Sequence, residues 1–97
     1  MTDLDPASVI AALTSDPQLQ PFVRDGVVAI MPARQAKRRL LLNEVAQAFE
    51  PGVYYSERTV SMFLRQLHPD YAALRRYLID EGFLDRREGE YWRCGGS

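Results

Sequence analysis

Residues 70–93 read DYAALRRYLIDEGFLDRREGEYWR, and the way this stretch divides decides the fold. On a helical wheel at about 100° per residue, Tyr71, Leu74 and Leu78 share one side, with Ile79 at its edge. Asp70 or His68 opens the helix, and Gly82 stands where a C′ residue is expected, so the spacing predicts a helix over 70–81. Past Gly82, FLD, the charged turn RREGE and YWRC read as two short strands around a tight turn, spanning 83–94. The apolar side of the helix calls for packing partners, and the residues upstream supply them.

Working outward, Val60, Phe63, Leu64 and Leu67 fall at i, i+3, i+4 and i+7, the clearest amphipathic stripe in the chain. Ser56 is placed to cap this helix over 57–67, with Glu57 at the positive end of its dipole. The HPD connection to the next helix is about the length that a helix-turn-helix uses. Before it, GVYY is a brief extended piece. Residues 33–49 carry Leu41, Leu42, Val45, Ala48 and Phe49 at helical spacing, and Pro51-Gly52 ends that helix. Three helices, an extended segment after the first and a hairpin after the third describe a winged helix-turn-helix.

The N-terminal third is an extension of this core. Asp5-Pro6 is a helix start, and Val9, Ile10 and Leu13 line one face of a short helix over roughly 6–14. SDPQLQPFVRDG, with two prolines, reads as a loop or a short turn of helix. GVVAIMP is apolar and β-branched and suits one strand, whose partner is expected at a distance because none is evident nearby. The division is 1–32 extension, 33–94 winged-helix core and 95–97 flexible tail, all within one α+β domain.

The 97 residues suffice for one small domain, and 46% hydrophobic composition supports a modest core. No apolar run approaches the ~20 residues of a membrane span, and MTDLDPASVI begins with acids where a secretory signal has bases. Cys94 is the only cysteine, which excludes an internal disulfide and a cysteine-based zinc site. A cytoplasmic protein is expected. Net charge is −1, which argues against strong non-specific binding to nucleic acid. Its distribution is uneven: residues 1–33 hold one base against four acids, residues 34–97 eleven bases against nine. Eleven of the twelve bases are arginine, a skew that genome composition also produces.

From Lys37–Arg39 through AFEPGVYYSE, DYAALRRYLID, GFLDR and YWR, with DGVVAIMPA upstream, the chain resembles the bacterial domain of unknown function family 2087. Its members stand alone or at the C-terminus of predicted transcriptional regulators. The resemblance implies a DNA-binding-like domain and supplies no activity and no catalytic residues. RTVSMFL departs from the family pattern, which usually has an acid and an Asn there.

The two arginines of the opening stretch differ. Arg75 lies at the margin of the buried side, where a guanidinium lays its stem on apolar surface and pairs with a carboxylate, Glu57 or Asp70. Arg76 is on the opposite side with Ala72, Ala73 and Asp80, and Tyr77 borders that face. In a winged helix this face enters the major groove, and small Ala72 and Ala73 permit close approach. The alternative for Arg76 is a solvated pair with Asp80. Arg86 and Arg87 read either as wing contacts to DNA or as part of a neutral hairpin tip among Asp85, Glu88 and Glu90. Lys37, Arg38 and Arg39 oppose the dipole of the helix they begin, so phosphate contact or pairing with N-terminal acids accounts for them. Arg58 is a further candidate phosphate contact beside Tyr54 and Tyr55, of which at least one belongs to the core.

Tyr91 and Trp92 alternate on a strand, so one faces inward and the other outward. His68 reads as a cap or surface residue, and Cys94 lacks the partners of a nucleophile. Asp80 and Glu81 count against a nucleic-acid role. No catalytic constellation, metal spacing or phosphate loop is present, and no catalysis or cofactor is expected. The first reading is a double-stranded-DNA-binding module of transcriptional regulation, dimeric where binding is specific. The alternative is a protein-interaction module on the same scaffold.

Overall fold

The computed structural model describes residues 4–96. In chain order its elements are α1 (Pro6–Ser15), a short 3-10 turn (Gln20–Phe22), β1 (Val23–Arg24), β2 (Val27–Val28) and α2 (Gln35–Ala46). There follow β3 (Tyr55–Ser56), α3 (Glu57–Arg65), α4 (Tyr71–Asp80), β4 (Leu84–Arg87) and β5 (Glu90–Arg93). The described residues thus form an α+β, winged-helix-like arrangement. Among them no helix is long and apolar enough to cross a membrane.

The caps explain where the helices begin. Asp5, Ser56 and Asp70 accept hydrogen bonds from the backbone N–H groups of Ala7, Thr59 and Ala73, each meeting an amide that has no partner inside its own helix. Asp70 is therefore occupied as a cap. The helices end earlier than periodicity suggests: Ala48 and Phe49 bond back to Val45 and Ala46, and Gln66 and Leu67 to Phe63 and Leu64, so the last turn of each tightens. Gly82 closes α4 at φ 82°, the left-handed region glycine enters without steric cost.

One core joins all of these elements. Leu13 and Leu19 come from the extension, Leu41, Leu42 and Phe49 from α2 and its end, and Phe63 and Leu64 from α3. Leu74 and Leu78 from α4 and Leu84 and Tyr91 from the wing complete it. Phe49 packs edge-on against both Tyr55 and Phe63, with ring centroids 5.2 and 5.5 Å away. The wing is a three-stranded antiparallel sheet in the order β3-β5-β4, with Tyr55 opposite Tyr91 and Arg86 also opposite Tyr91. A two-residue turn at Glu88 and Gly89, both at positive φ, joins β4 to β5.

The extension corrects the sequence reading. The partner of β2 is near, not distant: β1 and β2 form a hairpin with Val23 opposite Val28, turning at Asp25-Gly26 with φ 54° and 78°. Asp-Gly is the favoured dipeptide of such turns, but strands of two residues leave almost no alternation to detect. His68 is likewise not a surface residue. It is 7% exposed, and its Nδ1 lies 2.6 Å from the Val28 carbonyl. A carbonyl only accepts, so Nδ1 carries the proton. The Val28 N–H donates in turn to the Leu67 carbonyl at 2.7 Å. The turn between α3 and α4 therefore anchors the N-terminal hairpin. In the expected flexible tail, Gly95 donates to the Phe83 carbonyl; Ser97, like Met1–Asp3 at the other end, lies outside the described residues.

Candidate nucleic-acid interface

The face of α4 turned from the core carries Ala72 and Arg76, both exposed, while Ala73 is half-buried. Beside it stands the wing, and between them lies a cleft of about 300 Å³ lined by Ala72, Arg75, Arg76, Ile79, Asp80 and Arg86. Three guanidiniums thus face one carboxylate. Ion pairs join Arg38 and Arg39 to Glu81, outside this cleft. Arg76 does not close onto Asp80, and Arg75 and Arg86 pair with no acid there.

Neutral groups hold two of these arginines. Arg75 Nη1 donates to Ser61 Oγ at 2.6 Å, so its partner is a hydroxyl of α3 and not Glu57 or Asp70. Arg86 Nη1 reaches the Tyr91 hydroxyl at 3.5 Å, and that hydroxyl donates to Glu57 Oε1 at 3.2 Å. The hydrogen bond with Tyr91 raises the pKa of Arg86 further above its ordinary value. A hydroxyl fixes a guanidinium without forming an ion pair, and three arginines against Asp80 give the lining a formal excess of positive charge, with Glu57 also close enough to act on Arg86.

The basic start of α2 is engaged elsewhere. Arg38 Nε and Arg39 Nη1 donate to the Glu81 carboxylate at 3.2 and 3.0 Å, and Gln35 Nε2 adds a bond at 3.4 Å. Arg39 also donates to the Glu81 carbonyl. The Arg38 guanidinium lies over the Tyr77 ring at 5.0 Å and that of Arg39 over Phe83 at 4.9 Å. These contacts explain why bases persist against the helix dipole. Arg38 and Arg39 pair with Glu81 at the end of α4 and not with the N-terminal acids expected.

Burial pushes the Glu81 carboxyl up, but the bonds from Arg39, Arg38 and Gln35 outweigh it and hold the group below its ordinary 4.5. Its charge is internally neutralised and does not oppose an approaching anion. Tyr77, packed against the core and under Arg38, faces α2 and is not presented beside Arg76.

Other candidates are dispersed. Exposed Arg58 stands in the first turn of α3 and half-buried Lys37 in the first turn of α2, both outside the cleft. Arg87 alternates with Arg86 and lies on the opposite face of the wing. Cys94 donates its thiol to the Gly82 carbonyl, and desolvation with nearby Asp85 pushes its pKa up, away from the thiolate a nucleophile requires. Sequence reasoning missed the cleft because its hydroxyl anchors, Ser61 and Tyr91, sit 14 and 5 residues from their arginines on other elements. In the sequence, the helical wheel singled out Arg76, while Arg86 stood only as one of two arginines in the charged turn.

A family model described as an uncharacterized protein conserved in bacteria, domain of unknown function family 2087, matches residues 28–93. No curated protein matches the chain, and no solved structure does.

Proposed function

Since the chain belongs to this uncharacterized bacterial family, which assigns no activity, we propose from the site alone that it is a double-stranded-DNA-binding module of transcriptional regulation. The observation that carries the reading is the cleft in which Arg75, Arg76 and Arg86 stand unpaired with any carboxylate between α4 and the wing. α4 would lie in the major groove, with Ala72 permitting approach and Arg76 reading a guanine edge or holding a phosphate. Arg75 and Arg86, fixed by Ser61 and Tyr91, would hold backbone phosphates on either side. Lys37 and Arg58 are secondary phosphate contacts in this docking. Arg38 and Arg39 are excluded from it because Glu81 already holds them. A net charge of −1 makes the expected affinity modest away from a specific site.

Fluorescence anisotropy with a mixed-sequence duplex, at about 50 and about 200 mM salt, tests the proposal. Binding should weaken with salt, and Arg76→Ala should lower the log–log slope by about 1 if Arg76 holds a phosphate. A slope unchanged with weaker binding only to particular sequences would assign Arg76 to a base. A folded protein that binds no duplex at the lower salt would refute the reading.

A further inference from the structure

The wing carries different chemistry on its other face. Alternation along β4 and β5 puts Arg86 and Tyr91 on the helix side and Asp85, Arg87, Glu90 and Trp92 on the opposite side. There the Trp92 ring stacks on Tyr54, with centroids 5.0 Å apart and planes inclined at 27°. Tyr54 is 59% exposed, and neither ring packs against the core cluster. The half-buried Trp92 thus carries an exposed tyrosine, and tyrosine and tryptophan are among the residues that most often anchor interfaces. Around them lies a shallow depression of about 510 Å³ lined by Asp85, Glu88 and Glu90 together with Arg86 and Arg87. Among the described residues none of these carboxylates is in an ion pair. Asp85 accepts a hydrogen bond from the Arg86 backbone N–H, and Arg87 is the base on the same face.

We propose that this outer face of the wing docks an arginine- or lysine-bearing segment of a partner protein. A guanidinium or ammonium group lies on the Tyr54–Trp92 pair, attracted by the negative faces of the rings. The unpaired carboxylates form a rim of opposite sign to it. Charge selects this occupant over a nucleic-acid strand, whose phosphates would meet three carboxylates against the two arginines of the lining, one of which, Arg86, is turned to Tyr91. The inference stands apart from the DNA reading, since it rests on Tyr54, Trp92 and the carboxylates of the opposite face, and Arg86, which borders both depressions, takes no part in it.

Trp92 is the only tryptophan in the chain, so intrinsic fluorescence reports from the site itself. The protein would be titrated with a short peptide of alternating arginine and serine, with its aspartate–serine counterpart, and with a single-stranded oligonucleotide. A saturable, salt-sensitive change in Trp92 emission is expected with the arginine peptide alone. Tyr54→Ala, at an exposed position, should weaken it roughly tenfold, and Glu88→Gln with Glu90→Gln roughly threefold. Arg76→Ala should leave it unaltered. The proposal is overturned if the arginine peptide gives no change in a protein that circular dichroism shows to be folded. An equal response in Tyr54→Ala, or a response to the oligonucleotide instead, overturns it too. So does Trp92 emission that follows protein concentration together with self-association in sedimentation, since a second copy would then be the occupant.

Discussion

Replacing Glu81 by glutamine keeps the side chain's shape and removes the charge on which Arg38 and Arg39 converge. The carboxylate side chain is 8% exposed, Arg38 17% and Arg39 49%. A half-exposed pair such as Arg39–Glu81 is worth about 0.5 kcal/mol after solvent screening. The better-shielded Arg38 contact is worth about 1 kcal/mol, and part of the loss is the cost of leaving that guanidinium without its carboxylate. The expected destabilisation at neutral pH is therefore about 1.5 kcal/mol, or a fall in Tm of roughly 6–12 °C for a chain of this size.

The pH dependence fixes the cause. A carboxyl held below its ordinary 4.5 contributes stability that is fully present above that value. The contribution is lost as pH falls through the lower, folded-state pKa. Urea unfolding of wild type and Glu81→Gln should therefore show a gap at pH 7 that narrows as pH drops from about 4.5 into the acid range, with m unchanged. A gap below about 0.3 kcal/mol at pH 7, or one of the same size at both ends of the range, would refute the assignment of Glu81 as the charge that fastens α2 to α4.

Two further changes test the framework. His68→Leu leaves the Val28 carbonyl without its 2.6 Å donor, at an expected cost of about 1–3 kcal/mol; exchange of the Val28 amide, measured by NMR, should accelerate, and unchanged protection would mean the hairpin is held by other contacts. Ser56→Ala removes the acceptor for Thr59 N–H and should lower stability by about 1 kcal/mol in thermal melts, with Ser56→Gly costing only a few tenths.

What could be read from sequence was what local spacing determines. The Val60–Leu67 stripe, the Ser56 and Asp70 caps and the glycine after α4 marked the helix-turn-helix, because each acts within a turn or two of its own position. The charged RREGE turn and the alternation of Tyr91 with Trp92 marked the wing in the same way. What stayed hidden was set by partners far along the chain. His68 meets Val28 across 40 positions, and Glu81 meets Arg38 across 43. No periodicity records such a pairing, so a buried histidine looked like a surface one. A neutralised acid likewise looked like an obstacle to DNA. The candidate cleft was partly legible: helix geometry set Arg76 on the face turned from the core, while Arg86 and Arg87 were not told apart. That Arg75 joins Arg76 and Arg86 through Ser61, while Arg38, Arg39 and Tyr77 turn away, required the packing of α2 and α3 against α4.

The wing's division of labour obeys a parity rule. Arg86 faces the α4 cleft and Trp92 faces away because each strand residue reverses the side of its neighbour and the connecting turn has two residues. Lengthening the hairpin by one residue on each strand, tip included, moves the turn outward and leaves both faces intact. Inserting a single residue in β4 between Leu84 and Arg86 would instead exchange the faces of the β4 residues beyond it, while β5, held by Tyr91 in the core, keeps its own. The arginine would then point to the aromatic side and leave Tyr91 without its guanidinium. Natural variation in wing length should therefore come in matched pairs wherever both faces are in use, and an odd insertion would mark a relative that has given up one of them.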